Sequence, residues 1–325
     1  MDIIITTLKV LALLAGIFAA IIIINHLCRF NTWLNRVTGN LEYNPDIHEN
    51  AETHQTNTHF EDKDEVMATV NYYADNMDEV WIKSYDGLSL FANYLEGENK
   101  KLRVILIHGY TARNKAMFTI ADEYYKKGYS ILAPDQRGHG KSDGIFTTYG
   151  IKEARDIETR MNWIRENYPN SKIILQGESM GATAIMYVGG QNPADVKAII
   201  EDCGYESYYA MYNGKVRKYL KFLTKPSAIL ANLIIKPIIG GDVFKSALRA
   251  MEESKIPTLF IHGAKDDLIP YQTAYDLYDI HQGPKEIHIA KGAGHAESKL
   301  YDADIYFKAI FDFLDKIEDT ERYDK

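Results

Sequence analysis

Cysteine is scarce in this chain: Cys28 and Cys203 are the only two in 325 residues. A disulfide framework needs more, so none holds the fold together. No metal-binding or redox motif surrounds either one, and Cys203 reads as a reduced structural thiol. Positive charge is also short. The 37 Lys and Arg residues face 45 Asp and Glu, for a formal net charge of −8. Such a surface has no excess charge to attract phosphate backbones, which argues against a nucleic-acid partner. Internal repeats and low-complexity tracts are missing as well. What remains is ordinary globular material, 46% hydrophobic and 25% charged. It is long enough for one large domain whose core can shape a closed pocket.

One long apolar run is present. Residues 3–24 carry a single charge, Lys9. About 22 helical residues at ~1.5 Å rise span roughly 33 Å, the thickness of a bilayer core. The run is longer than a signal-peptide core and ends in four isoleucines without a small-x-small site. The expectation is therefore an uncleaved single-pass anchor over residues 1–30. Arg29 and Arg36 beyond the run, against Lys9 and the amine before it, partly offset by Asp2, lean by about one charge to a cytoplasmic C-terminus. Residues 31–66 follow as a stalk. From 44 to 65 they are polar and acidic, and His48, His54 and His59 are scattered there without a metal-binding spacing.

The globular domain is expected over 67–325. From residue 79 short apolar runs alternate with helical patterns. Strands are expected at 80–84 and 88–95, flanking the Asp86-Gly87 turn, and at 103–107, 129–133, 172–176, 196–201, 258–261 and 285–289. Helices are expected at 116–127, 151–168, 180–189, 271–280 and 299–317. Short buried strands alternating with helices imply a mostly parallel sheet covered on both faces. The alternation stops between 204 and 253, a helical stretch rich in tyrosine (Tyr205, Tyr208, Tyr209, Tyr212, Tyr219) that reads as a lid inserted after the sixth strand. Its tyrosines fit either an acyl pocket or ordinary lid packing.

Gly177-Glu178-Ser179-Met180-Gly181 joins a strand to a helix in the G-x-S-x-G pattern of a nucleophile elbow. So tight a turn needs small residues at Gly177 and Gly181. It lifts the Ser179 hydroxyl clear of the sheet and aims a helix N-terminus at the site. A serine hydroxyl is a weak nucleophile and needs a base. His295, in Gly292-Ala293-Gly294-His295 after the last strand, is the best placed. The base needs an anion to fix its tautomer. Asp266, in the loop after strand 258–261, is the choice, with Asp267 beside it and Asp202 at the end of the preceding strand as alternatives. The order Ser179, Asp266, His295 is the one this kind of sheet uses. The N–H groups of Met180 and Tyr110 are the candidate oxyanion donors. Gly109 permits close backbone approach, and it and Tyr110 are candidate substrate contacts.

At these residues the chain resembles the α/β-hydrolase superfamily over about 79–316. It is closest to bacterial membrane-anchored serine hydrolases, the serine-aminopeptidase-like or cell-surface group. The shared pieces are His108-Gly109, the run Asp135 to Ser142 around Arg137-Gly138-His139-Gly140, Tyr149-Gly150, the elbow and Asp202-Cys203. The resemblance implies an α/β-hydrolase fold with a helical lid, an extracytoplasmic domain, and an acyl-enzyme mechanism on small-molecule carboxylic esters, lipid or acyl-chain substrates included, that needs no metal or organic cofactor. Ser179 argues against dehalogenase chemistry, which uses Asp at that point. The alternatives are a peptidase or amidase on the same triad, and a non-catalytic membrane-tethered binding protein. Oligomeric state and natural substrate stay open.

Overall fold

The computed structural model describes residues 63–323 except 146, 212 and 214–223, together with Thr6, Thr7, Val10, Leu14 and Ile17. The chain opens with helix α1 (Lys63–Asn76). A hairpin of β1 (Asp78–Lys83) and β2 (Ser89–Leu95) follows. Then come β3 (Asn99–Ile107), a 3₁₀ turn at Asn114–Met117, α2 (Phe118–Lys126) and β4 (Tyr129–Pro134). Next are α3 (Ile151–Asn167), β5 (Lys172–Glu178), α4 (Met180–Gly189) and β6 (Val196–Asp202). The chain continues through α5 (Thr224–Ile239), α6 (Ala247–Glu253), β7 (Thr258–Gly263), α7 (Gln272–Ile280) and β8 (Lys285–Ala290). It closes with the short α8 (Ser298–Tyr301) and with α9 (Ala303–Tyr323).

The eight strands form one sheet in the order β1-β2-β4-β3-β5-β6-β7-β8. The pairings β1–β2 and β2–β4 are antiparallel, and every pairing from β4–β3 to β7–β8 is parallel. This is the α/β-hydrolase fold. A strand's side chains alternate between faces, and the core divides accordingly. Ile105 and Ile107 of β3 belong to a cluster with Ile157 and Met161 of α3 and Ile185 of α4. Val104 and Leu106 point the other way, into a cluster with Tyr73 of α1, Phe118 and Tyr124 of α2, and Tyr306, Ile310 and Phe313 of α9. Each aliphatic side chain so buried contributes about 2 kcal/mol against conformational entropy. The strand order reverses between β4-β3 and β5. Open α/β sheets bind ligands outside the carboxyl ends of their strands at such a switch point.

Two differences from the sequence reading have physical causes. Helix α1 begins inside the span read as a linker. Its surface is polar, but Val70 and Tyr73, with Met77 just beyond its end, are buried on one side, so it covers the sheet beside α2. The first part of β3, with Asn99, Lys100 and Lys101 exposed, has no apolar alternation; a register irregularity lies between Asn99 and Arg103.

The expected membrane anchor is corrected. No helix among the described residues is long and apolar enough to cross a membrane. Crossing takes about 20 predominantly apolar residues. The longest described helix, α9, has 21 residues but carries Asp304, Lys308, Asp312 and Asp315 opposite its packed stripe. The single-pass, extracytoplasmic placement therefore does not stand. Apart from the five positions named, the expected anchor lies outside the described residues, as do residues 31–62 of the expected stalk with Cys28, His48, His54 and His59. In the stretch 204–253, α5 and α6 are described, and Tyr212 and Tyr219 are not. Asn232 ties α5 down, donating to Asp242 Oδ1 at 3.0 Å and accepting from Val243 N at 3.1 Å.

Candidate active site

Ser179 sits between the end of β5 and the start of α4 with φ 52° and ψ −110°. A non-glycine residue pays of order 1–3 kcal/mol for such a backbone, and the surroundings must enforce it. They do so through two glycines. A Cβ on Gly177 would lie 2.5 Å from the carbonyl carbon of Gly181, and one on Gly181 would collide with the carbonyl oxygens of Ile107 and His108. The turn is pinned further by Ser179 N donating to Asp202 O at 2.8 Å, across to β6. Other non-glycine residues with positive φ also flank the site: Thr111, Cys203 and Ala296. By contrast, Asn170 and Asn192 are of the residue type that tolerates this region best.

His295 reaches the serine from the loop after β8. Its Nε2 lies 2.8 Å from Ser179 Oγ, and its Nδ1 lies 2.7 Å from Asp266 Oδ2. The loop is built for this. Gly294 N donates to Glu297 Oε2 at 2.8 Å. Lys265 N donates to Ala293 O at 2.9 Å, so the loops carrying Asp266 and His295 are bonded to each other. Gly263 makes room, since a Cβ there would meet the Ala293 and Gly294 carbonyls.

Asp266 is buried and saturated with donors. Its Oδ1 accepts from Leu268 N at 2.9 Å and Ile269 N at 2.8 Å. Its Oδ2 faces His295 and, at 3.1 Å, Nε2 of the fully buried His262. Burial alone would raise its carboxyl; the bonds from His262 and His295 outweigh that and hold it well below the usual carboxylate range. His262 Nε2 also lies 2.9 Å from Ile269 O. A carbonyl only accepts, so Nε2 carries the proton and is shared between Ile269 O and Asp266. His262 is not among the candidates read from the sequence; its spacing of four from Asp266 was the available signal.

The other candidates fall elsewhere. Asp267 is exposed. Asp202 is fully buried on the far side of the elbow, with Ser298 Oγ 3.5 Å from its Oδ1. His108 is buried and structural: its Nε2 accepts from Gln136 N at 3.0 Å. His139 engages Arg137 O at 2.9 Å, His281 engages Met251 O and Ile256 O, and His288 stays within β8. The Arg137 turn is likewise structural, its guanidinium gripping Asp156 at 2.6 and 2.7 Å.

On the oxyanion side, Gly109 lies against the elbow; a Cβ there would be 3.5 Å from Ser179 Cβ. Met180 is the first residue of α4, where a helix leaves its N–H groups without intrahelical acceptors. Tyr110 stacks on Tyr149 with ring centroids 5.2 Å apart, and Tyr149 meets Tyr208 at 4.8 Å, so an aromatic row lies beside the loop that carries Gly109. Potential metal ligands among the described residues converge at Cys203, Asp266 and His295, within 4.8 Å of one another. Two of the three are already bonded to each other, and burial pushes the Cys203 thiol up, away from the thiolate a metal would need.

A family model described as "Serine aminopeptidase, S33" matches residues 98–226. The chain is 29% identical over 221 residues to uncharacterized protein YqkD of Bacillus subtilis, covering 67% of this chain and 72% of that one. It is 24% identical over 235 residues to a thermostable monoacylglycerol lipase of a Bacillus species, covering 67% of this chain and 92% of the lipase. Among solved structures it is similar to the esterase Pf2001 of Pyrococcus furiosus, with a TM-score of 0.61 and 25% identity over 76% of this chain and 95% of the esterase. Fold and similarities together support the α/β-hydrolase superfamily.

Proposed function

We propose that this α/β hydrolase is a serine carboxylic ester hydrolase working through an acyl-enzyme, with Ser179 as nucleophile, His295 as general base and Asp266 as the orienting acid. The observation that carries the reading is the unbroken hydrogen-bonded line Ser179 Oγ–His295–Asp266, at 2.8 and 2.7 Å. Ser179 Oγ attacks the acyl carbonyl as its proton passes to His295 Nε2. The carbonyl oxygen becomes an oxyanion held by the N–H groups of Met180 and Tyr110. His295 then protonates the departing alcohol. A water, deprotonated by His295, attacks the acyl-enzyme and releases the acid and Ser179. The tyrosine row Tyr110, Tyr149 and Tyr208 suits an apolar acyl group. We read the stretch 204–253, which contributes Tyr208 to that row, as a lid. The similarities to a monoacylglycerol lipase and an esterase favour ester substrates. The description of the matched family keeps a peptidase or amidase on the same triad as a second reading.

The test is fluorophosphonate labelling of the full chain beside Ser179→Ala, followed by a series of p-nitrophenyl esters of increasing acyl length and a panel of aminoacyl amides. Labelling and ester turnover are expected to vanish in Ser179→Ala. Ester hydrolysis unchanged in that variant would overturn the proposal. Amide turnover above ester turnover would move the second reading to the front.

A further inference from the structure

Lys299 lies four residues after His295, and its ammonium is nearly buried. It donates to Glu178 Oε1 at 2.5 Å, the two side chains being 11% and 6% exposed. Glu178 is the residue immediately before Ser179. The same ammonium approaches the carbonyl of Ala116 at 3.5 Å, in the 3₁₀ turn that follows the Gly109-Tyr110 loop. Three loops thus meet at one nitrogen: the elbow, the continuation of the oxyanion loop and the loop bearing the base.

A second carboxylate completes the cluster. Asp202 is register partner to Glu178 on the neighbouring strand, so both side chains project on the same face. It is fully buried, beside Ser298 Oγ at 3.5 Å and the Tyr306 hydroxyl. Burial first, and then the Glu178 charge, push its carboxyl well up, with Lys299 opposing. Lys299 is therefore paired with one buried acid and opposes the charge of its neighbour. A buried ion pair is weak evidence for stability, because well-packed apolar side chains often do as well. Its use here is geometric, since an apolar pair would not fix the base loop at one distance from the elbow.

We propose that Lys299 is a positioning residue for the hydrolytic reaction, holding the His295 loop against the nucleophile elbow through its bond to Glu178. The proposal rests on the reading of Ser179 and His295 as nucleophile and base. When the pair is cut, the base loop loosens and His295 Nε2 drifts from Ser179 Oγ, while the substrate pocket keeps its walls. Misplacement by about 1 Å costs ~10²-fold in rate.

The experiment compares wild type, Lys299→Met, Lys299→Arg and the double variant Glu178→Gln/Lys299→Met. The readouts are kcat and KM on one ester, the fluorophosphonate labelling rate and the melting temperature. Lys299→Met is expected to lose ~10–100-fold in kcat and in labelling rate with KM changed less than about threefold. Lys299→Arg, which keeps the charge and the reach, should recover much of that loss. The double variant carries no stranded carboxylate at 178. It should regain melting temperature and yet keep the low kcat, which also guards against a single variant that fails to fold. Any of three results overturns the proposal: full activity in the folded double variant, loss of stability without loss of kcat, or a loss confined to KM. Wild type that shows no Ser179-dependent labelling at all would overturn the proposed function first, and that outcome is visible before any Lys299 variant is made.

Discussion

Asp266→Asn isolates what the acid does, because the substitution is nearly isosteric and the four groups around the carboxylate are all donors. On one side Leu268 N and Ile269 N give to Oδ1; on the other His295 Nδ1 and His262 Nε2 face Oδ2. An asparagine has only one oxygen to offer. The two backbone N–H groups cannot turn away, so the amide oxygen takes their side and the NH₂ faces His295. A donor facing a donor is repulsive, and the imidazole answers by moving its proton from Nδ1 to Nε2. Nε2 then carries a hydrogen where it must accept one from Ser179 Oγ. Loss of the correct tautomer costs ~10⁴-fold in kcat in triads of this type, or about 5 kcal/mol. Binding is untouched, so KM should hold. The assay is kcat and KM for a short-chain p-nitrophenyl ester at pH 8, with circular dichroism to establish that the variant is folded, and Asp202→Asn as the parallel test of the competing acid. A folded Asp266→Asn within tenfold of wild type would refute the reasoning. So would a greater loss in Asp202→Asn.

Two further outcomes follow from the same surroundings. Burial pushes the Glu201 carboxyl up to about 7, against the opposing pull of His262 and the Gly204 N–H. An acid whose folded pKa lies above its unfolded value of ~4.3 contributes stability that is complete at low pH and lost as pH rises through 7. Glu201→Gln should therefore gain more in melting temperature over wild type at pH 8 than at pH 4; equal gains at both pH values would refute the assignment. Gly181→Ala places a Cβ 2.8 Å from His108 O and closer still to Ile107 O, with only backbone to yield. It should lose ~3 kcal/mol or more in urea unfolding and label poorly with fluorophosphonate; a stable, fully reactive variant would show that the elbow is looser than its geometry.

Much of the sheet, and the candidate residues that the structure brings together, were legible because their signals are local. An apolar run bounded by glycine or proline marks a buried strand wherever it occurs, and the strand ends at residues 107, 178 and 263 deliver the loops. The elbow glycines announce a close approach that the structure places at Ile107, His108 and Ala182. What stayed hidden depends on side chains far apart in sequence. Helix α1 shows only a thin apolar stripe on a polar body, so it reads as linker until the sheet it covers is known. Its Val70 and Tyr73 have the i, i+3 spacing that could have revealed it. The membrane anchor went the other way. A strong composition signal gave an expectation that the described helices do not support.

The hidden contacts share a logic. Glu178 and Lys299 are 121 residues apart, and neither residue type signals anything alone: a lysine after a loop and a glutamate in an elbow both read as surface. Burial changes their meaning. Once both side chains leave solvent, each is costly without the other, and the pair can exist only if the base loop and the elbow are held at one separation. His262 beside Asp266 obeys the same rule from four residues away, its shared proton fixing the carboxylate that fixes His295. Catalytic residues can be found from motifs because the chemistry restricts their types. The groups that hold them in place are restricted only by geometry, so they emerge when the distances are known. In this chain the candidates are the buried charges that the proposed triad itself does not use.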